Sequence, residues 1–422
     1  MITFGRIWKT PEVRNSLLFV AAMMIVFRLA AHVPVPGVDA AALTKLFTGN
    51  QFLGLLNIFS GGTLASFSVV ALGVGPFITS SIVFQLLGMI FPKFEEMQKE
   101  EQGRQKMNQW SRLLTVPLAI LQAYSLLLLF KQQTGGSLFT AHDAWTQIFA
   151  IATMTAGTVF LMWIGELISE KKVGNGTSLI IFAGIIAGLP TFFSQALAVY
   201  DRSQLVTAIL FAVLAIITVI GIVLINEAQR DIPIQYARQV RGSRLAGAVT
   251  SHIPLKLNMG GVIPIIFAVS LILFPTVIAQ FFVNARTPAI RTAAAMVIQF
   301  FQNQLVYGII FFVLVFAFTF FYTSVVFHPD TVAENLQKQG SFVPGIRPGK
   351  PTAEYLGWVT NRLMLVGALF LAVIAVLPLI VRQWTGNQSL AIGGTSILIV
   401  VSVVIDSIKQ IEAQLSMREY EM

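Results

Sequence analysis

Long apolar segments alternate with short basic segments along nearly the whole chain. A helix needs about 20 predominantly apolar residues to cross the hydrocarbon core of a bilayer. Runs of roughly this length lie near residues 16–33, 69–91, 113–131, 147–167, 178–199, 205–226, 260–283, 304–327, 363–382 and 389–409. The pattern predicts an all-α polytopic membrane protein with ten transmembrane helices.

One apolar stretch does not fit a simple span. Residues 52–70 are apolar but are split by Gly61 and Gly62, and Gly75 and Pro76 follow shortly afterwards. Broken backbone at membrane depth is tolerated only where protein buries it or where it lines a water-filled cavity. We therefore expect a short re-entrant helix that leads into a full span. An amphipathic surface loop is the alternative.

The polar segment 227–258 carries a strand pattern. Every second residue from Ile232 to Tyr236 is large and apolar, which is the period of a β-strand. The Arg-Gly-Ser-Arg sequence at 241–244 provides a turn, and residues 248–253 form a second extended run. This pattern predicts a β-hairpin with arginines at its tip.

The polar segment 328–355 is rich in residues that form turns. Such residues favour a compact, exposed loop over a helix. They surround Arg347 and are Gly340, Pro344, Gly345, Pro348, Gly349 and Pro351.

Composition and charge support the membrane class and predict its orientation. Hydrophobic residues make up 55% of the chain and charged residues 11%, and the net charge is +9. With the N-terminus inside, 21 Lys and Arg residues fall in the inside segments and seven in the outside segments. By the positive-inside rule, both termini are predicted to be cytoplasmic.

Five predicted spans lie on each side of the segment around Asp201. An odd number of spans per half gives the two halves opposite orientations, which is the arrangement of an inverted repeat with its functional site at the interface. We therefore predict two pseudo-symmetric halves, 1–200 with helices one to five and 201–422 with helices six to ten.

The sequence contains few residues or motifs that are typical of enzymes or of ion-coupled transporters. It has no cysteine, no phosphate-binding Gly-rich motif, and no metal-like spacing among its four histidines. Arg28, Glu166 and Asp406 fall near the ends of predicted spans, whereas ion-coupled transporters usually keep ionisable groups in mid-membrane. We therefore predict a protein that is not an enzyme and needs no cofactor. A secondary transporter and an intramembrane enzyme are the competing classes.

Branched aliphatic side chains recur at helical spacing in two of the spans. Val74, Ile78 and Ile82 share one helix face, and so do Ile181 and Ile185. Such stripes usually pack against neighbouring helices in the core of the protein. The functional alternative is a hydrophobic constriction that closes a pore by excluding water.

Six motifs identify a family. Together, and in this order, they resemble the SecY family, whose members are the central subunits of the bacterial protein-translocating channel. The motifs are NIFSGG from Asn57, GVGPFITSSI from Gly73, VGNGTSLIIFAGI from Val173, HIPLKLNMGGVIPIIFA from His252, FVPGIRPG from Phe342 and GGTS from Gly393.

The resemblance implies an hourglass channel between two five-helix halves. Unfolded, signal-bearing preproteins would pass through the centre, and apolar segments would leave sideways into membrane lipid. Residues 56–70 would form the plug that closes the outer funnel, with the motif residues Asn57, Ile58, Phe59, Ser60, Gly61 and Gly62. The pore ring would consist of Val74, Ile78, Ile181, Ile185, Ile266 and Ile399.

The resemblance also implies a lateral gate, partners and a location. The gate would run between the second and third helices on one side and the seventh and eighth on the other. Gln85 would face it, although packing against another polar group explains this residue equally well. The family implies the small subunits SecE and SecG and a bacterial plasma-membrane location.

Basic residues of the two cytosolic segments would dock the motor ATPase SecA or the ribosome, whose RNA phosphates attract such charges. Alternatively, these residues simply enforce topology. They are Arg238, Arg241, Arg244, Lys256 and Arg347.

Overall fold

The computed structural model describes residues 8, 10–36, 63–64, 66–133, 144–198, 205–236, 240–241, 244–245, 250–283, 285–385 and 394–419. The described residues are mostly helical. In chain order the helices are α1 (Pro11–Ala31), α2 (Gly75–Ile90), α3 (Pro92–Lys99), α4 (Glu101–Gln133), α5 (Ala144–Glu170), α6 (Gly176–Ala198), α7 (Leu205–Glu227), α8 (Ile263–Phe282), α9 (Pro288–Gln302), α10 (Gln304–Val326), α11 (Pro329–Lys338), α12 (Lys350–Thr385) and α13 (Gly394–Glu419).

Each of the ten apolar runs carries a helix, and α3, α9 and α11 are additional. Among the described residues, six helices are long and apolar enough to cross a membrane: α1, α4, α5, α8, α10 and α12. The pair α2 and α3, bent by 112° at Phe91, would make a seventh span. These helices confirm a multi-pass membrane protein, and the number ten stays a prediction.

The chain forms two compact units. Unit 1 comprises Met1–Val206, Val269–Tyr307 and Ile399–Met422, and unit 2 comprises Thr207–Ala268 and Gly308–Leu398. The division into halves at residue 200 stays a prediction.

In unit 1 successive helices pack on one another, α2 on α4, α4 on α5 and α5 on α6. One buried cluster joins the segment before α2 to α4 and α5. It contains Val35, Leu64, Phe67, Ala71, Ala123, Leu126, Leu127, Leu129, Phe130, Ala150 and Met154.

The described strands of unit 2 are β1 (Gln229–Tyr236), β2 (Val240–Arg241), β3 (Arg244–Leu245), β4 (Thr250–Lys256) and β5 (Ser341–Phe342). A three-stranded antiparallel sheet has the order β4-β1-β5, and β2 and β3 form a separate short pair. Ile232 of β1 faces Ile253 of β4 in the pairing register. The predicted hairpin is confirmed. Its second strand, β4, continues past the predicted end at Ile253 to Lys256, and residues 248 and 249 lie outside the described residues.

The prediction that residues 328–355 form a loop without a helix is wrong. Pro329 starts α11, a two-faced helix that buries Ala333 and Leu336. Proline is well tolerated in the first turn of a helix, where its missing N–H would have no partner. Most of the turn-forming residues lie in the stretch between α11 and α12, and Pro351 is the second residue of α12, so they shape only part of the segment.

Candidate functional site

The first two predicted ring residues lie where α2 begins. Val74 is the N-cap residue of α2, and the Ile78 N–H donates to the Val74 carbonyl at 3.1 Å. Val74 is 1% exposed and Ile78 is 8% exposed. The two side chains follow each other along one buried stripe, as their spacing predicted.

The segment before α2 is held by the chain that follows α1. The Val35 N–H donates to the Phe67 carbonyl at 3.0 Å, and the Val69 N–H donates to the Val33 carbonyl at 2.9 Å. Phe67 and Gly73 have positive φ angles of 42° and 59°. These bonds set the position from which Val74 starts the helix.

A tight turn positions the next two ring residues on α6. The Gly176 N–H donates to Ser169 Oγ at 2.9 Å, and the Ser178 N–H donates to Asn175 Oδ1 at 3.1 Å. A Cβ at Gly176 would collide with the Gly165 carbonyl, so α5 and α6 approach closely at this point.

Ile181 and Ile185 follow this turn on α6. Ile181 is 1% exposed. Ile185, one helical turn further along, is half-buried.

The last two ring residues lie on α8 and α13. Ile266 is 5% exposed and its N–H donates to the Val262 carbonyl at 3.3 Å, while Ile399 is fully buried. Ile266 belongs to unit 2, and the other five predicted ring residues belong to unit 1. Burial of these side chains fits both a closed constriction and ordinary core packing. The ring as a set therefore stays a prediction.

The predicted plug residues, Asn57 to Gly62, lie outside the described residues. The end of the predicted plug segment is partly described, and residues 66–70 are turns with a bridge at Ser68. Leu64 and Phe67 are buried in the unit 1 core.

Gln85, the predicted gate residue, is half-buried on α2. Its Nε2 donates to Ser81 Oγ at 3.2 Å, one turn earlier on the same helix. This local bond satisfies part of the amide and leaves its role at a gate a prediction.

Hydroxyl groups that the sequence analysis did not single out link α2 to α4. Ser80 Oγ donates to the Ser111 carbonyl at 2.6 Å, and Ser111 Oγ donates to Ser80 Oγ at 3.3 Å. Both residues are buried. Their pairing depends on how two distant helices pack, so no local pattern in the sequence marks it.

A mostly apolar cavity of about 90 Å³ lies in unit 1 between α2, α4 and α8. Ile78 lines it together with five polar residues, Thr79, Gln122, Ser125, Ser270 and Gln280. Ser125 Oγ and Gln280 Oε1 are buried without a hydrogen-bond partner in the part of the chain that the structure describes. The second, third and seventh predicted spans thus enclose space with unused hydrogen-bonding groups.

An ion pair joins the first part of α4 to the last part of α5. The Arg112 guanidinium contacts the Glu166 carboxylate at 2.5 Å. The sequence analysis placed Glu166 near a helix end but did not identify its partner.

Arg347 lies in the turn between β5 and α12, and its side chain is exposed. Gly345 and Gly349 flank it with φ angles of 83° and 90°, a region that favours glycine. The buried Thr352 hydroxyl donates to the Arg347 carbonyl at 2.8 Å. The turn therefore fixes the backbone and presents the guanidinium outward.

The other predicted docking residues are described to different extents. Lys256 is half-buried at the end of β4, opposite Gln229. Arg241 and Arg244 pair with each other at the tip of the β2–β3 hairpin. Arg238 lies outside the described residues.

Known proteins resemble this chain over nearly its full length. The family model SecY matches residues 68–408. The protein translocase subunit SecY of Corynebacterium glutamicum is 43% identical, with 98% of both chains covered. The same subunit of Halalkalibacterium halodurans is 41% identical, over 99% of this chain and 98% of the relative.

Solved structures share the fold. One, described as "The structure of a protein conducting channel", has a TM-score of 0.65 and 18% identity, covering 94% of this chain and 91% of that one. Sec61 in the canine ribosome–channel complex from the endoplasmic reticulum has a TM-score of 0.60 and 16% identity, with the same coverage.

Proposed function

The chain belongs to the SecY family, and we propose that it passes unfolded preproteins across the plasma membrane and releases apolar segments sideways into lipid. The family is one of protein-conducting channels, and this chain is such a channel. The single observation that carries the proposal is the match to translocase subunits over 98% of the chain. Transport through this pore is passive and needs no cofactor, and SecA or the ribosome supplies the energy.

The six predicted ring residues form the seal. Branched aliphatic side chains offer a translocating chain no hydrogen bonds, and they leave ions without a substitute for their hydration shell. Val74, Ile181, Ile266 and Ile399 are buried, as a closed seal requires. Residues 57–62 form the plug over the outer funnel, and Gln85 faces the lateral gate.

A triple substitution tests the seal. Glycine at Ile78, Ile181 and Ile266 is expected to raise the ion conductance of the resting channel in planar bilayers. A matched triple variant replaces Ile164, Ile222 and Ile374, which are also buried, and controls for the cavities that such changes leave. Equal leaks from both variants, or no leak from the first, would refute the seal.

The cytosolic arginines and Lys256 form the docking surface for SecA or the ribosome. The exposed side chain of Arg347 supports this role, because the turn around it leaves the guanidinium free to meet an acidic partner or RNA phosphates. SecE and SecG are the small subunits of the complex. Both termini face the cytoplasm of a bacterial inner membrane, as the distribution of Lys and Arg predicts.

Reconstitution tests the function as a whole. Vesicles containing this chain with SecE and SecG are expected to protect a signal-bearing precursor from protease when SecA and ATP are added. Arg347→Glu should abolish this protection without loss of assembly. Lys338→Glu, which changes another exposed cation of unit 2, should leave it intact. No protection by the unaltered complex would refute the proposal.

A further inference from the structure

The connection between α8 and α10 is itself a helix whose surface is largely uncovered. In the 15-residue α9, every described side chain is exposed except Ala294, which is buried, and Ile298 and Phe301, which are half-buried. The exposed fraction reaches 63% at Met296 and 52% at Phe300. Such large exposed apolar side chains in a short connection call for a physical explanation.

The residues of α9 divide into three faces at 3.6 residues per turn. Ala294, Ile298 and Phe301 form the face that is packed on the protein. On one side of it lies a polar face with Arg291, Thr292, Ala295 and Gln299. On the other side lies an exposed apolar face with Ile290, Ala293, Met296, Val297 and Phe300.

Short connections hold α9 at the ends of two membrane-crossing helices. Residues 283–287 separate it from α8, and Asn303 alone separates it from α10. Asn303 closes one helix and starts the next, because its N–H donates to the Gln299 carbonyl at 3.2 Å and its Oδ1 accepts from the Leu305 N–H at 3.1 Å.

The length of α9 excludes a span of its own. Fifteen residues extend about 22 Å, which is shorter than the roughly 30 Å hydrocarbon core. The helix is therefore held at the depth where α8 and α10 leave the membrane.

The exposed apolar surface is continuous along the chain with that of the flanking spans. Phe282, the last residue of α8, is 47% exposed, and Leu305 at the start of α10 is 64% exposed. In a membrane protein these surfaces contact lipid, and the apolar face of α9 lies between them in the chain.

Two arginines near the beginning of α9 have no counter-ion among the described residues. Arg286 and Arg291 are exposed, and neither forms an ion pair within the part of the chain that the structure describes. The sequence contains no acidic residue between Asp231 and Asp330. Lipid phosphates are the anions at this depth, and a helix with cations on its polar side and large apolar residues opposite is typical of an interfacial helix.

We propose that α9 lies in the lipid–water interface, with its apolar face in the acyl-chain boundary and Arg286 and Arg291 on lipid phosphates. The topology proposed above makes this the outer interface. The helix ties the ends of α8 and α10 to the membrane surface, so any movement of these two spans carries a lipid-anchored element with it.

Single cysteines can test this placement because the chain has none of its own. Nitroxide labels at Met296→Cys and Phe300→Cys report the apolar face, and labels at Ala295→Cys and Gln299→Cys report the polar face. The full chain with SecE is placed in vesicles of phosphatidylethanolamine and phosphatidylglycerol. Relaxation of each label by oxygen, which partitions into lipid, is compared with relaxation by a water-soluble nickel chelate.

We expect oxygen to dominate at 296 and 300 and the nickel chelate to dominate at 295 and 299. Dominance of the nickel chelate at all four positions would place α9 in water and overturn the proposal. Exclusion of both reagents from 296 and 300 would show a protein cover, a second copy or a partner subunit, and would overturn it equally. These readouts do not depend on transport, so they are separate from the reconstitution test.

The arginine contacts have their own test. Arg286→Gln combined with Arg291→Gln is expected to lower the ratio of oxygen to nickel relaxation at position 300 severalfold in vesicles with phosphatidylglycerol. An unchanged ratio would overturn the role of the arginines in lipid binding.

Discussion

Two junctions in this protein, the segment before α2 and the turn before α12, both contain residues with positive φ angles, yet one buries its proposed functional side chain and the other exposes it. Before α2, Phe67 and Gly73 have positive φ angles, and before α12, Gly345 and Gly349 do. The first junction buries an aliphatic residue, Val74. The second leaves a cation, Arg347, exposed.

The surroundings of each junction account for this difference. The segment before α2 is hydrogen-bonded to the chain after α1 and packs against α4 and α5, so residues distant in the sequence determine its position. The turn before α12 is held mainly by its own glycines and by Thr352, five residues away in the chain. The first junction should therefore be sensitive to distant substitutions and the second to local ones.

Gly157→Ala on α5 should disturb the packing of the segment before α2 and lower the thermal midpoint more than the other substitutions below. The new Cβ would collide with the carbonyl of Val69, and overpacking of this kind costs about 1–3 kcal/mol. Alanine recovers only about 0.5–1 kcal/mol through its better helix propensity. We expect a lower thermal midpoint of the complex in detergent.

Gly188→Ala on α6 is the matched control for Gly157→Ala. No described atom lies within 4 Å of its added Cβ, so its midpoint should stay equal or rise. Equal midpoints for the two variants would contradict the assignment of the first junction to long-range packing.

Gly345→Ala should distort the second junction alone. Forcing a residue with a Cβ into this region costs about 1–2 kcal/mol, and nothing described crowds the site. Translocation driven by SecA should fall by about five-fold, the effect of roughly 1 kcal/mol, and the thermal midpoint should fall less than it does in Gly157→Ala. Gly345→Asn should retain more activity, because asparagine tolerates positive φ better.

Thr352→Val tests how much a single hydrogen bond contributes to the second junction. It removes the hydroxyl that donates to the Arg347 carbonyl and keeps the shape of the side chain. Loss of one such bond costs about 0.5–1.5 kcal/mol. A decrease in translocation smaller than that of Gly345→Ala is expected, and a larger one would show that Thr352, not the glycines, holds the turn.

Sequence reasoning succeeded where a pattern is local and repeated. Long apolar runs and the alternation around Ile232 depend on neighbouring residues, and helices and a hairpin occupy these places. It failed at α11. The glycines and prolines in the second part of 328–355 favour a loop, whereas the apolar spacing of Ala333 and Leu336 in the first part of that segment favours a helix.

Features of the candidate site that depend on packing were beyond the sequence. The pairing of Ser80 with Ser111 and of Arg112 with Glu166 joins residues 31 or more positions apart. Serines and charged residues in helices have many possible partners, so only the way the helices pack selects one. The cavity beside Ile78 is likewise formed by the packing of three helices, so no local sequence pattern predicts it.

Hydrogen bonds and close packing connect the sheet of unit 2 to its neighbouring helices. The Leu257 N–H donates to the Ala228 carbonyl at 2.8 Å, and Asn258 Nδ2 donates to Asn226 Oδ1 at 2.8 Å, where α7 gives way to β1 and β4 leads towards α8. A Cβ at Gly367 would collide with the Leu257 carbonyl, so α12 packs tightly against the same point. Only Ala228 separates α7 from β1. A force applied to the sheet would therefore displace the end of α7 directly, because no flexible linker lies between them.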